Sequence, residues 1–194
     1  ILQDSHLIHM KAKLHAIYQQ FLPYRDILCF VVVLLAANYF WKWTVIGEED
    51  NNFVTWFGIN LTGLFDAMSH HITRAVFWLV SSVRDTAHLI GENTIRFDSG
   101  TATHIVWSCT ALKQSFIWFW IILLSFGKFK KKCWFIPLGW LCIYIFNILR
   151  IAIITLFIEF HPEWFDMLHE YIFKYLFYGM LFLLWVWWTE KIRD

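Results

Sequence analysis

From residue 133 to 158 the chain reads CWFIPLGWLCIYIFNILRIAIITLFI, and Arg150 is the only charged side chain in that run. At 1.5 Å per residue, an α-helix of this length exceeds the ~30 Å hydrocarbon core of a bilayer. Lipid offers backbone N–H and C=O groups no partner, so a run of this kind is stable there only as a helix that pairs them internally. Comparable runs cover residues 26–46, 109–126 and 172–188. Two weaker stretches, 53–68 and 75–90, carry Asp66, Arg84, Asp85 and His88. They fit either two further crossings or two helices lying in the interface. The composition, 59% hydrophobic and 21% aromatic with thirteen tryptophans and three prolines, agrees with a membrane protein. The expected fold is an all-α polytopic membrane protein. No repeat or linker divides residues 1–194, so one domain is expected, with about six transmembrane helices favoured and four as the alternative.

Charge placement predicts orientation, because short cytoplasmic loops collect Lys and Arg. Lys11, Lys13 and Arg25 precede the first run; Lys128, Lys130, Lys131 and Lys132 fill the GKFKKK loop; Lys191 and Arg193 follow the last run. The segments GEEDNN and EFHPEWFDML carry acids and neither Lys nor Arg. Both termini, including residues 1–25, are therefore expected on the cytoplasmic side and the acidic segments outside. In the six-span arrangement His70, His71 and Arg74 form a basic inner turn. The first apolar run is long enough to stay in the membrane, so a cleaved leader is not expected there. The net charge of +1 points to no nucleic-acid partner, and the four cysteines contain no CxxC pair.

Residues 94–107 differ in kind. FDSGT is a turn signal flanked by Thr, Ile, Phe and Val, which predicts a short hairpin at the outer surface. It delivers the chain to Cys109. Counting along the helices then places three residues at one depth. Cys109 opens an outside-to-inside helix, and His169 enters another. Arg150 lies eight residues before the outer end of its helix, about 12 Å below that end. A thiol at a helix N-terminus beside a guanidinium is a candidate nucleophile. Histidine can take the thiol proton and return it to a leaving amine. Arginine stays charged and can hydrogen-bond an oxyanion, with Asn147 one helical turn earlier as a possible second donor.

Each residue has a plainer reading. Cys29, Cys133 and Cys142 are expected to be small buried hydrophobes. Arg150 could pair with Glu159 or reach lipid phosphate, although a cation within a span costs at least about 2.5 kcal/mol and is a functional hypothesis by default. Lys113, one turn below Cys109, could tune the thiolate or reach toward headgroups. His161 precedes a helix-starting proline. His104 is five residues before Cys109, and strand alternation would point the two to opposite faces; both histidines rank below His169. His70 and His71 diverge on a helix and have no further ligand in register, so no metal is expected, nor any cofactor.

Taken together these residues resemble the exosortase/archaeosortase family. Cys-Thr-Ala-Leu at 109–112 resembles its Cys-Ser-Gly-Leu, Asn147-Ile-Leu-Arg150 its Asn-x-x-Arg, and His169-Glu-Tyr-Ile-Phe173 its His-Asp region, over residues 95–185. The resemblance implies a cysteine peptidase or transpeptidase of the bacterial inner membrane, of the family's compact branch. Its partner would be a membrane-anchored protein whose C-terminal sorting signal is cleaved on the outer side. It also implies Cys109 as nucleophile, Arg150 as transition-state stabiliser and His169 as acid/base, with Glu170 in place of the aspartate and Ala111 in place of the glycine. The competing expectations are a transporter or channel component using Arg150, Glu159 and His169, and a non-catalytic assembly factor.

Overall fold

A computed structural model of the protein describes residues 24–48 and 53–193. Lys11 and Lys13, and residues 49–52 of the acidic stretch, lie outside the described residues. Helix α1 (Arg25–Thr44) leads into the strands β1 (Val45–Glu48), β2 (Phe53–Trp56) and β3 (Ile59–Asn60), which form an antiparallel meander. Helix α2 (Thr62–Val83) follows, then a second meander of β4 (Ala87–Ile90), β5 (Thr94–Phe97) and β6 (Ala102–His104). A 3-10 turn, Trp107–Thr110, precedes α3 (Leu112–Leu124); α4 (Phe129–Ile158) comes next. The last helical stretch contains a wide π segment, Met167–Ile172, ahead of α5 (Phe173–Trp187).

Among the described residues, three helices are long and apolar enough to cross a membrane: Arg25–Thr44, Phe129–Ile158 and Pro162–Ile192. A fourth apolar helix, Leu112–Leu124, is shorter. The protein is therefore largely α-helical and consistent with a multi-pass membrane protein, with three long apolar helices where four to six spans were expected. Exposed Val31, Val32, Leu35, Tyr39, Phe40 and Trp43 leave α1 with an apolar face too continuous for water.

The difference arises between residues 45 and 104, where two small sheets also correct the all-α expectation. The stretches 53–68 and 75–90 are not two spans. Residues 53–60 form a hairpin whose two-residue turn, Phe57–Gly58, has φ of 48° and 79°. Positive φ at both positions is what a tight hairpin of matching twist requires. Residues 62–83 then make one amphipathic helix that buries Phe65, Ser69, Ile72, Val76 and Val80, recurring every three or four residues. Its polar side carries Arg74, bonded to Glu92 at 2.9 Å, so His70, His71 and Arg74 are mid-helix and not an inner turn. The expected hairpin at 94–107 is present as β5 and β6, closed by the turn at Asp98–Thr101 with Gly100 at φ 93°. Its partner β4 comes from the second weak stretch.

Among the described residues, two larger cores and two smaller clusters hold the fold together. Phe30, Trp118, Ile121, Ile143, Phe177 and Trp185 interlock α1, α3, α4 and α5. Ile72, Val76 and Val80 of α2 pack with Ile95, Phe97 and Ile105 against Ile148 and Ile151 of α4. Within the first core, the Trp118 indole lies against Gly139 and donates to the carbonyl of Ile136 at 3.2 Å. This is beside Pro137, whose missing N–H already interrupts the α4 ladder.

The three basic segments meet at one end of the bundle. Arg193 pairs with Asp26, the backbone N–H of Lys128 donates to the carbonyl of Arg193, and the Arg25 guanidinium sits 3.8 Å over the Phe126 ring. Lys132 is buried there, capping α3 through the carbonyls of Leu123 (2.8 Å) and Ser125 (2.5 Å). Cys109, Arg150 and His169 belong to the opposite end, with both sheets.

Candidate active site

Cys109 is carried by the 3-10 turn, not by the first turn of an α-helix as expected. Its N–H bonds the carbonyl of Val106 at 2.9 Å, and α3 begins only after Ala111. Ala111 is buried and adopts φ 58°, ψ 15°. Glycine takes this left-handed conformation freely, whereas a Cβ costs of the order of 1 kcal/mol. The joint between turn and helix thus holds Ala111 in a conformation that glycine would adopt without strain.

Beside the turn lies a groove of about 560 Å³ lined by Cys109, His169, Glu170, Asp166, Phe165 and His104. The half-buried thiol and the half-buried imidazole, sixty residues apart, therefore face one space. His169 stands on the π segment, with its ring stacked on Phe165 (centroids 5.3 Å, 11°) and Nδ1 3.4 Å from a Glu170 oxygen. Glu170 also faces Lys174 at 3.5 Å. The wide turn is a common way to aim a side chain out of helical register.

Arg150, on α4, is not among the side chains that line this groove, but it stands within electrostatic reach of Cys109 and Glu170. Its Nε is buried without a hydrogen-bond partner among the described residues. Glu159 does not pair with it: that carboxylate is held by Arg84 at 3.1 Å and Thr86 at 3.3 Å. Asn147 is buried, and its amide donates to the carbonyl of Cys109 at 2.7 Å. It holds the turn that carries the thiol, where oxyanion donation had been expected. Lys113 lies elsewhere, in a separate pocket with Lys42.

His104, expected to point away from Cys109, also lines the groove. Strand β6 ends at His104, and Ile105 and Val106 have no regular structure, so strand alternation does not extend to Cys109. Its Nδ1 lies 2.9 Å from the Thr94 hydroxyl, and the side chain lines the same groove as the thiol. Asp166 likewise gave no motif signal. His161 pairs with Glu163 at 3.3 Å and stacks near Phe157, outside this groove. His71 bonds the Tyr144 hydroxyl at 2.8 Å while His70 faces Glu92, so the neighbours diverge. Among the described residues no group of three or more His, Cys, Asp or Glu could hold a metal ion.

Compared with known proteins, the chain matches no family model, no curated protein and no solved structure.

Proposed function

We propose that the protein is a membrane-embedded cysteine peptidase or transpeptidase, acting in the manner of the exosortase/archaeosortase family that its motifs resemble. The observation that carries this reading is the shared groove of Cys109 and His169, with the Arg150 charge within electrostatic reach of Cys109. In the proposed reaction Cys109 Sγ attacks a peptide carbonyl carbon while His169 takes the thiol proton. The tetrahedral oxyanion gains from the Arg150 guanidinium. The C–N bond then breaks, His169 returns the proton to the departing amine, and a thioester remains on Cys109. An amine or water attacks the thioester, releasing the acyl product and restoring the thiol.

In the same proposal the protein sits in the bacterial inner membrane with both termini cytoplasmic. The basic end would face the cytoplasm and the groove the outer surface. Four crossings follow if α3 also spans: its thirteen residues give about 20 Å, and the 3-10 turn adds about 8 Å. The substrate would be a membrane-anchored exported protein with a C-terminal signal of an apolar helix and a basic cluster.

The test compares the exported proteins of cells carrying wild-type protein with those carrying Cys109→Ala or His169→Ala. Proteins with such C-terminal signals should be truncated only with the wild type, and intact mass should show an acyl adduct on Cys109 that is absent from Cys109→Ala. Truncation that persists with Cys109→Ala would overturn the reading.

A further inference from the structure

On the other side of the Cys109 turn lies a smaller pocket of about 260 Å³, lined by Lys42, Lys113, Ser108, Thr110, Gln114 and Trp41 among others. Ser108 borders both this pocket and the thiol groove. Lys42 comes from the last turn of α1 and Lys113 from the first turn of α3, so the fold brings two cations from separate helices to one cavity. They repel each other, and neither forms an ion pair with a carboxylate among the described residues. Gln114 Oε1 is buried and accepts no hydrogen bond there. The half-buried Lys113 ammonium beside the exposed Lys42 ammonium favours an anion between them, and an empty amide oxygen calls for an O–H or N–H donor beside that anion. Tryptophan at the rim is the side chain favoured at headgroup depth.

We infer that this pocket binds a phosphate ester with an adjacent hydroxyl or ammonium donor, held by Lys42 and Lys113 at the phosphate and by Gln114 Oε1 at the donor. The ligand goes beyond the peptidase reading and does not depend on it, since binding can be measured without turnover. A lipid headgroup and a soluble glycerophosphate share this chemistry.

The experiment follows thermal unfolding of the full chain in a neutral detergent, titrated with dihexanoyl phosphatidylglycerol, dihexanoyl phosphatidylcholine or sn-glycerol 3-phosphate. Phosphatidylglycerol should raise the unfolding temperature, and phosphatidylcholine, which lacks the donor, should act more weakly. A soluble ester acting at similar concentration identifies a soluble ligand; action by the lipid alone identifies a headgroup; either supports the site. The half-effective concentration should rise about fivefold for each lysine replaced, in Lys113→Gln and again in the Lys42→Gln/Lys113→Gln pair. Lys42→Arg/Lys113→Arg should retain binding. If the double variant does not fold, Lys42→Gln and Gln114→Leu alone should each weaken phosphatidylglycerol. The inference fails if no compound shifts the wild type, if these variants leave the titration unchanged, or if Lys128→Gln/Lys130→Gln at the opposite end weakens it equally.

Discussion

At Ala111 the fold strains the backbone, because a buried Cβ is held at φ 58° between the Cys109 turn and α3. Ala111→Gly is expected to stabilise the protein by about 1 kcal/mol, and Ala111→Val to destabilise it by more, in thermal unfolding in detergent. A glycine variant no more stable than wild type would show that the conformation carries no strain. Asn147→Leu removes the amide donor to the Cys109 carbonyl. A loss of about 1–3 kcal/mol should follow, with altered alkylation of Cys109 by iodoacetamide compared with wild type. That Cys109 and His169 would come to one groove could be anticipated in the sequence, because depth can be counted along helices of known rise. Asn147 was legible as a residue facing the site, but its bond to the thiol's own carbonyl was not. His104 was hidden because period-two alternation ends where the strand ends, and Lys132 because a buried lysine capping two carbonyls looks like any other member of a basic loop.

Helix α4 is held where its own hydrogen-bond ladder is weakest. Pro137 withholds an N–H, and the Trp118 indole lies against Gly139 close enough that a Cβ there would overlap it. Gly139→Ala should therefore cost about 3 kcal/mol, the upper range for overpacking. Trp118→Leu alone should also destabilise, through lost area and the lost bond to Ile136. The double variant should lose less than the sum, because removing the indole vacates the space the new methyl needs. Additive losses in unfolding measurements would separate the two residues energetically. The long apolar runs revealed α1, α4 and the last helix, since length and hydropathy alone mark them as helices able to cross a bilayer. Residues 53–68 misled because Phe, Val, Trp and Ile serve a half-buried hairpin as well as a lipid-facing helix. The period of Phe65, Ile72, Val76 and Val80 was legible in principle. It runs unbroken across the point where two spans had been divided by a turn.

The arrangement of the whole chain follows from which ends meet. Arg25, the Lys128 loop and Arg193 come together at one end, and the two sheets, α2 and the groove lie at the other. Charge distribution foretold that gathering because each basic segment flanks an apolar run and cannot enter lipid with it. It did not foretell that the described residues from Val45 to Ala111 form two small sheets and one amphipathic helix, since the six-span alternative satisfied the same charges. Arg74 separates the alternatives: it is 68% exposed and bound to Glu92, the residue beside Gly91 in the β4–β5 turn. In the four-crossing arrangement that position is outside; in the six-span one it is inside. Arg74→Cys, placed in a chain with Cys29, Cys133 and Cys142 as Ala and Cys109 as Ser, should react with a membrane-impermeant maleimide in intact cells whose outer barrier has been opened. The same reagent should reach a Lys130→Cys variant only after the inner membrane is lysed. Protection of Arg74→Cys until lysis would place α2 across the bilayer and remove the outer shelf of sheets on which the Cys109 turn rests.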